Sequence, residues 1–214
     1  MRKHLGLYLV TDDQPHLLAR TEAALKGGVT CVQLRLKKAD SGFFLHQARK
    51  MAKLCRLYEV PFIINDRADI AHLSGADMLH IGQSDLPLTE ARNIVGSDMP
   101  IGVSAATVEE AQRAEEEGAA YLGVGSLFPT ATKADATPIP PEIVENIRCS
   151  VSLPIVLIGG INETTLTEAE PLVRTSADGI AVVSAILSAS DPQLAATALR
   201  QRMDALLQPS PHQP

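Results

Sequence analysis

The stretch "LGLYLVTDD", Leu5–Asp13, decides the fold by how it ends. It reads as a short buried strand. An open, doubly wound sheet usually follows its first strand with a glycine-rich phosphate turn; here two aspartates follow Val10 and Thr11 instead. Further along, short runs rich in Val, Ile and Leu alternate with longer amphipathic segments. The strand candidates are "LGLYLVT", "VTCVQLR", "PFIIN", "DMLHIG", "PIGVS", "YLGVG", "PIVLIGG" and "DGIAVVS". Helical patterns lie between them, among them "HLLARTEAALKGG", "GFFLHQARKMAKLCRLYEV", "TVEEAQRAEEEGA" and, last, "DPQLAATALRQRMDALL". Gly27-Gly28, Gly96 and Gly118 stand where helices should stop. Strict β–α alternation predicts a parallel sheet covered by helices. Eight such units without a linker predict a single α/β domain, a (β/α)8 TIM barrel over residues 1–207, near the short end of that fold's size range. The proline-rich end "QPSPHQP", residues 208–214, is expected to be disordered.

Composition limits the partners. With 45% hydrophobic and 21% charged residues the chain can build a real core, and with no Trp and only 3% aromatics that core must be aliphatic. A net charge of −6 argues against nucleic acid as the main partner. No run is long enough to span a bilayer, and "MRKHLGLYLVTDD" lacks a full signal-peptide core. Cys31, Cys55 and Cys149 form no metal spacing and suit a reducing, cytoplasmic setting. Whether the chain forms a homo-oligomer stays open.

In a barrel, chemistry gathers at the C-terminal ends of the strands. The second strand ends in "VQLRLKK", and period-two alternation sends Gln33, Arg35 and Lys37 inward and Leu34 and Leu36 toward the helices. Cations in a barrel mouth call for an anion, unless Lys37 has already entered a solvated loop. The third strand ends in Asn65-Asp66-Arg67, and the fourth runs into "IGQSDLP" with Asp85. Neighbouring strands lie about 4.8 Å apart, so these two carboxylates can converge on one Mg²⁺, with a diphosphate filling its octahedron. The plainer alternatives are that Asp66 caps "DRADIAHL" and Asp85 starts a turn with Pro87. Ser104 ends the fifth strand, as a cavity hydroxyl or as a helix cap. After Gly123 and Gly125, the loop with Thr130, Thr132 and Lys133 suits a carboxylate or phosphate. "IGGIN" and "VVSAI" end the last two strands and offer backbone N–H groups to a phosphate.

The motif series "GLYLVTD", "GVTCVQLRLK", "NDRADIA", "HIGQSDLP", "GVSA", "GVGSLFPTATK", "IGGI" and "AVVSAI" resembles that of the thiamine phosphate synthase family, in family order over about residues 6–187. The resemblance implies a Mg²⁺-dependent transferase. It would join 4-amino-5-hydroxymethyl-2-methylpyrimidine diphosphate to a thiazole phosphate, often carboxylated, and release diphosphate. It further implies that the stretch Gln33, Leu34, Arg35, Leu36 and Lys37, with Asn65, Ser104 and Lys133, contacts the pyrimidine diphosphate. Asp66 and Asp85 would hold the metal, and Thr130, Ala131, Thr132, Gly160, Val183 and Ser184 the thiazole phosphate. Arg35, Lys37, Ser104 and Lys133 are the implied catalytic groups. Two positions depart from the family pattern: Ala106 stands where many members have histidine, and Ser126 where Gly-Pro is common before "FPT". The alternatives are a thiazole tautomerase-like paralogue and a non-catalytic thiazole phosphate binder; neither needs both aspartates.

Overall fold

A computed structural model describes residues 2–130 and 137–208. After a 3₁₀ turn at Arg2–His4 the chain alternates strand and helix. It runs β1 (Leu7–Val10), α1 (Leu17–Lys26), β2 (Cys31–Leu34), α2 (Ser41–Leu57), β3 (Phe62–Asn65), α3 (Ala68–Ser74), β4 (Met78–Ile81) and α4 (Leu88–Val95). The second half runs β5 (Ile101–Ala105), α5 (Val108–Glu116), β6 (Tyr121–Val124), α6 (Pro141–Ser150), β7 (Ile155–Ile158), α7 (Glu163–Ser176), β8 (Gly179–Val182), α8 (Ser184–Leu187) and α9 (Pro192–Leu207). The strands pair in parallel in sequence order, and β8 returns to β1 with Leu7 opposite Ile180. This is the expected (β/α)8 barrel. Among the described residues no helix is long and apolar enough to cross a membrane. The 209–214 end of the expected tail lies outside the described residues.

Alternation along each strand sorts the core into two layers. Tyr8, Val10, Cys31, Ile63, Met78, Tyr121, Val156 and Ala181 point inward and form one cluster with Leu5. Their neighbours, such as Leu7, Leu9, Val32, Leu34, Phe62 and Ile64, join a larger aliphatic layer beneath the helices. The inner layer is the less uniform. Tyr121 fills space that Gly102 leaves vacant, since a Cβ at Gly102 would stand 2.1 Å from the tyrosine ring. Side-chain caps fix where helices begin: Asp40 accepts from Phe43 N, Thr107 from Glu110 N, Asn162 from Thr165 N and Asp191 from Leu194 N.

At the N-terminal face, side chains clasp the first amide of a neighbouring strand. Thr30 Oγ1 accepts from Leu7 N at 2.9 Å, Asp77 Oδ2 from Phe62 N at 2.8 Å, and Asp178 Oδ2 from Ile155 N at 2.9 Å. Asp178 also accepts from Arg2 Nη1 at 2.6 Å and lies 3.5 Å from Arg148. Removing this carboxylate leaves the Ile155 N–H without its partner and takes one contact from each of two guanidinium groups, which keep their bonds to Ser152 O and Val151 O. Asp178→Ala is therefore expected to cost about 1–3 kcal/mol in urea denaturation, and an unchanged midpoint would show the clasp to be idle.

Candidate active site

A cavity of about 500 Å³ opens at the C-terminal ends of the strands. From β2 and its extension, Gln33, Arg35 and Lys37 reach its wall; β3 brings Asn65 and Asp66, and the turn after β4 brings Asp85. Ser104, on β5 beside β4, adjoins them, and Thr130, Gly160, Val183 and Ser184 line the rest of the cavity. Leu34 and Leu36 do not line the cavity. Both side chains are buried in the aliphatic layer beneath the helices, as alternation along β2 requires. Ala131, Thr132 and Lys133, with the rest of the 131–136 segment, lie outside the described residues.

The acidic pair is built by an unusual backbone. Asp66 has φ 64°, in the left-handed region, and Arg67 N donates to Asn65 O at 2.8 Å across it. Such a three-residue turn is strained, and Asp66 N is held by His80 O at 2.8 Å. The turn swings the Asp66 carboxylate onto Lys37 Nζ, with which it pairs. Asp66 does not cap the next helix; Arg67 occupies the cap position of α3 and makes no side-chain cap bond there. The Arg67 guanidinium turns to Asp69 and Ser41, away from the cavity wall. Asp85 ends a turn from Gly82 rather than starting one with Pro87, accepting from Gly82 N at 2.8 Å, and it lines the cavity. Burial raises its carboxyl above the usual carboxylate range, and a hydrogen bond to Asp66 raises it further.

These facing carboxylates fit a divalent cation, which would relieve their repulsion. Among the described residues no cluster of three or more His, Cys, Asp or Glu could hold a metal. Two carboxylates suit Mg²⁺, which keeps water or phosphate oxygens for its other positions.

Across the mouth, the loop after β6 lies directly on the turn after β7. Leu127 N donates to Ile158 O and Phe128 N to Gly159 O, both at 3.0 Å. The turn needs glycine for conformation and for space. Gly159 and Gly160 have φ 106° and 65°; a Cβ on Gly159 would stand 2.0 Å from Ser126 Oγ, and one on Gly160 2.6 Å from Pro129 O.

Beneath the mouth a buried polar chain crosses the barrel. Gln33 Nε2 donates to the Tyr8 hydroxyl at 2.7 Å, which lies 2.9 Å from the Tyr121 hydroxyl. Tyr121 meets His80 Nδ1 at 3.0 Å, and His80 Nε2 meets Ser104 Oγ at 3.0 Å. Burial pushes the His80 imidazole down to about 4, only partly opposed by the Asp85 charge, so it is neutral at pH 7. Ser104 is held from its other side too: its carbonyl accepts from Gln83 Nε2 at 2.7 Å, and Arg113 fixes Gln83. Thr107, not Ser104, caps α5.

Residues 7–186 match the family model described as thiamine monophosphate synthase. The chain belongs to this family. It is 50% identical over 187 residues to the thiamine-phosphate synthase of Clostridium acetobutylicum, covering 86% of this chain and 87% of that one. It is 46% identical over 204 residues to that of Methanobrevibacter smithii, covering 94% and 96%. The solved thiamine phosphate pyrophosphorylase of Pyrococcus furiosus superposes with TM-score 0.88 at 37% identity, over 97% of this chain and 99% of that one. As a member of the thiamine monophosphate synthase family, the protein is an enzyme and a transferase.

Within this member of the family, the two departures from the family pattern are both accommodated. Ala106 N donates to Glu110 Oε2 at 2.7 Å, which places a carboxylate from α5 on the cavity wall. Ser126 Oγ donates to Phe128 O at 2.7 Å, inside the loop after β6. Sequence reasoning singled out neither Glu110 nor Tyr8, His80 and Tyr121. The one signal for His80 was its place in "DMLHIG", two residues from Met78 on the inward face.

Proposed function

We propose that the protein is a Mg²⁺-dependent thiamine phosphate synthase. Its substrates in this reading are 4-amino-5-hydroxymethyl-2-methylpyrimidine diphosphate and thiazole phosphate, carboxylated or not. The observation that carries this reading is the convergence of Asp66, Asp85, Lys37 and Arg35 on one wall of a single cavity, facing Gly160 and Ser184 on the other. One wall suits a diphosphate with its metal, and the other a monophosphate held by backbone N–H groups.

Asp66 and Asp85 would hold Mg²⁺, which when bound supplies Lewis-acid neutralisation of the diphosphate charge. Arg35 and Lys37 stabilise the charge gathering on the departing oxygens. Asn65 and Ser104 direct polar groups at the same end, and Lys133 belongs to it by family resemblance. In a dissociative substitution the C–O bond to diphosphate breaks first, and the aminopyrimidine ring supports the cationic methylene. The thiazole nitrogen then forms the new C–N bond, yielding thiamine phosphate, with CO₂ lost from a carboxylated thiazole. Neither step needs a side-chain base. The chain's share of the work is to hold two reactants in order inside one cavity.

The test is diphosphate release with both precursors, before and after removal of Mg²⁺ by EDTA. Release that needs Mg²⁺ and matches thiamine phosphate formation one to one is expected. Release that persists without the metal would remove the metal role from Asp66 and Asp85. Thiazole phosphate binding without any release would identify a non-catalytic binder.

A further inference from the structure

The buried chain under the cavity has a direction. An amide nitrogen can only donate, so the Tyr8 hydroxyl accepts from Gln33 Nε2 and must pass its single proton onward. Tyr121 is the hydroxyl it reaches, and Tyr121 in turn meets His80 Nδ1. Tyr8 and Tyr121 are both almost wholly buried, so neither proton has water as an alternative. A Nδ1 that accepts leaves the ring proton on Nε2, which then donates to Ser104 Oγ. With its oxygen supplied by His80, the Ser104 hydroxyl has its own proton left for the cavity it lines.

We propose that Tyr8, Tyr121 and His80 are positioning residues that carry the donor sense of the Gln33 amide across the barrel and make Ser104 a hydrogen-bond donor to a bound anionic oxygen. That the oxygen belongs to a diphosphate rests on the function proposed above; the direction of the chain does not. Reversing the first link reverses all the others: a carboxylate at position 33 accepts from Tyr8, Nδ1 takes the ring proton, and Ser104 must donate to Nε2 rather than to the ligand. Two tyrosines and a histidine thus act on the reaction without touching a reacting atom.

The ring tautomer can be read without substrate. Full-length protein labelled with ¹⁵N-histidine is examined by two-bond ¹H–¹⁵N correlation, with the His80 signals identified among the six histidines by their loss in His80→Gln. The expected result is a neutral ring protonated on Nε2. A ring protonated on Nδ1, or on both nitrogens, overturns the proposal. In Gln33→Glu, above the pH at which its carboxyl ionises, the proton is expected to move to Nδ1; retention on Nε2 would mean that the chain does not set the tautomer. Activity gives a separate reading. His80→Gln places an N–H near the position of Nε2 and is expected to keep a kcat at least tenfold above that of His80→Leu, at similar KM. Equal kcat values in the two variants would remove the donor role. Because the tautomer is measured on the free protein, its result and that of the diphosphate assay can fail independently.

Discussion

Asp85→Asn is expected to lower turnover by about two to three orders of magnitude without loosening the barrel. Asparagine keeps an oxygen for Gly82 N, which Asp85 holds at 2.8 Å, but removes a charge from the proposed metal position. The same substitution should leave the metal-free protein as stable as before, or more so. The Asp85 carboxyl is raised by burial and then by Asp66, so the folded state holds its proton more tightly than the unfolded chain does. The stability tied to that proton is full below the unfolded value and is lost as pH rises through the folded one. At neutral pH the ionised Asp85 therefore works against the fold. Melting curves of metal-free wild type and Asp85→Asn across that range should separate as pH rises, with the variant higher. A variant that melts lower at neutral pH would show that the turn, rather than charge, governs this position. Asp66→Ala should lose turnover to a similar extent, since it removes both a carboxylate and the partner of Lys37.

The second large effect is expected at Gly160. Gly160→Ala puts a Cβ 2.6 Å from Pro129 O and 2.7 Å from Phe128 Cβ, on a residue with φ 65°. Left-handed backbone costs a non-glycine residue about 1–2 kcal/mol, and the contacts force the loops after β6 and β7 apart. Thiazole phosphate binding, measured by calorimetry, should weaken by about ten- to a hundredfold, which is roughly 1.4–2.8 kcal/mol. Binding of the pyrimidine diphosphate across the cavity should change far less. Equal loss of both would mean that the two ends of the cavity do not bind separately.

The architecture was legible because each strand is a short Val-, Ile- or Leu-rich run punctuated by Gly, Asp or Pro. The cavity-facing set Gln33, Arg35 and Lys37 was legible as well from period-two alternation, which carries on past the end of β2 at Leu34 into the turn where Lys37 lies exposed. Tyr8, His80 and Tyr121 escaped for the opposite reason. Strands buried on both faces read as continuous apolar runs, and a lone Tyr or His in such a run does not announce a hydrogen-bonded chain. The partners come from β1, β2, β4, β5 and β6, and only barrel closure brings them together. The left-handed Asp66 was equally hidden, since nothing in "NDR" distinguishes a three-residue turn from the first turn of α3. Leu34 and Leu36 show the limit of carrying a whole motif over: the motif is contiguous, while alternation gives the cavity only every second side chain.

The tyrosine pair also makes the protein observable. The chain has no tryptophan and three tyrosines. Tyr58 hydrogen-bonds Glu22 at 3.1 Å on the outer helices, whereas Tyr8 and Tyr121 lie with ring centres 6.1 Å apart among the residues lining the cavity. Two of the three tyrosines therefore sit just beneath the cavity proposed to hold the substrates, and unlabelled protein is expected to report its filling through their fluorescence.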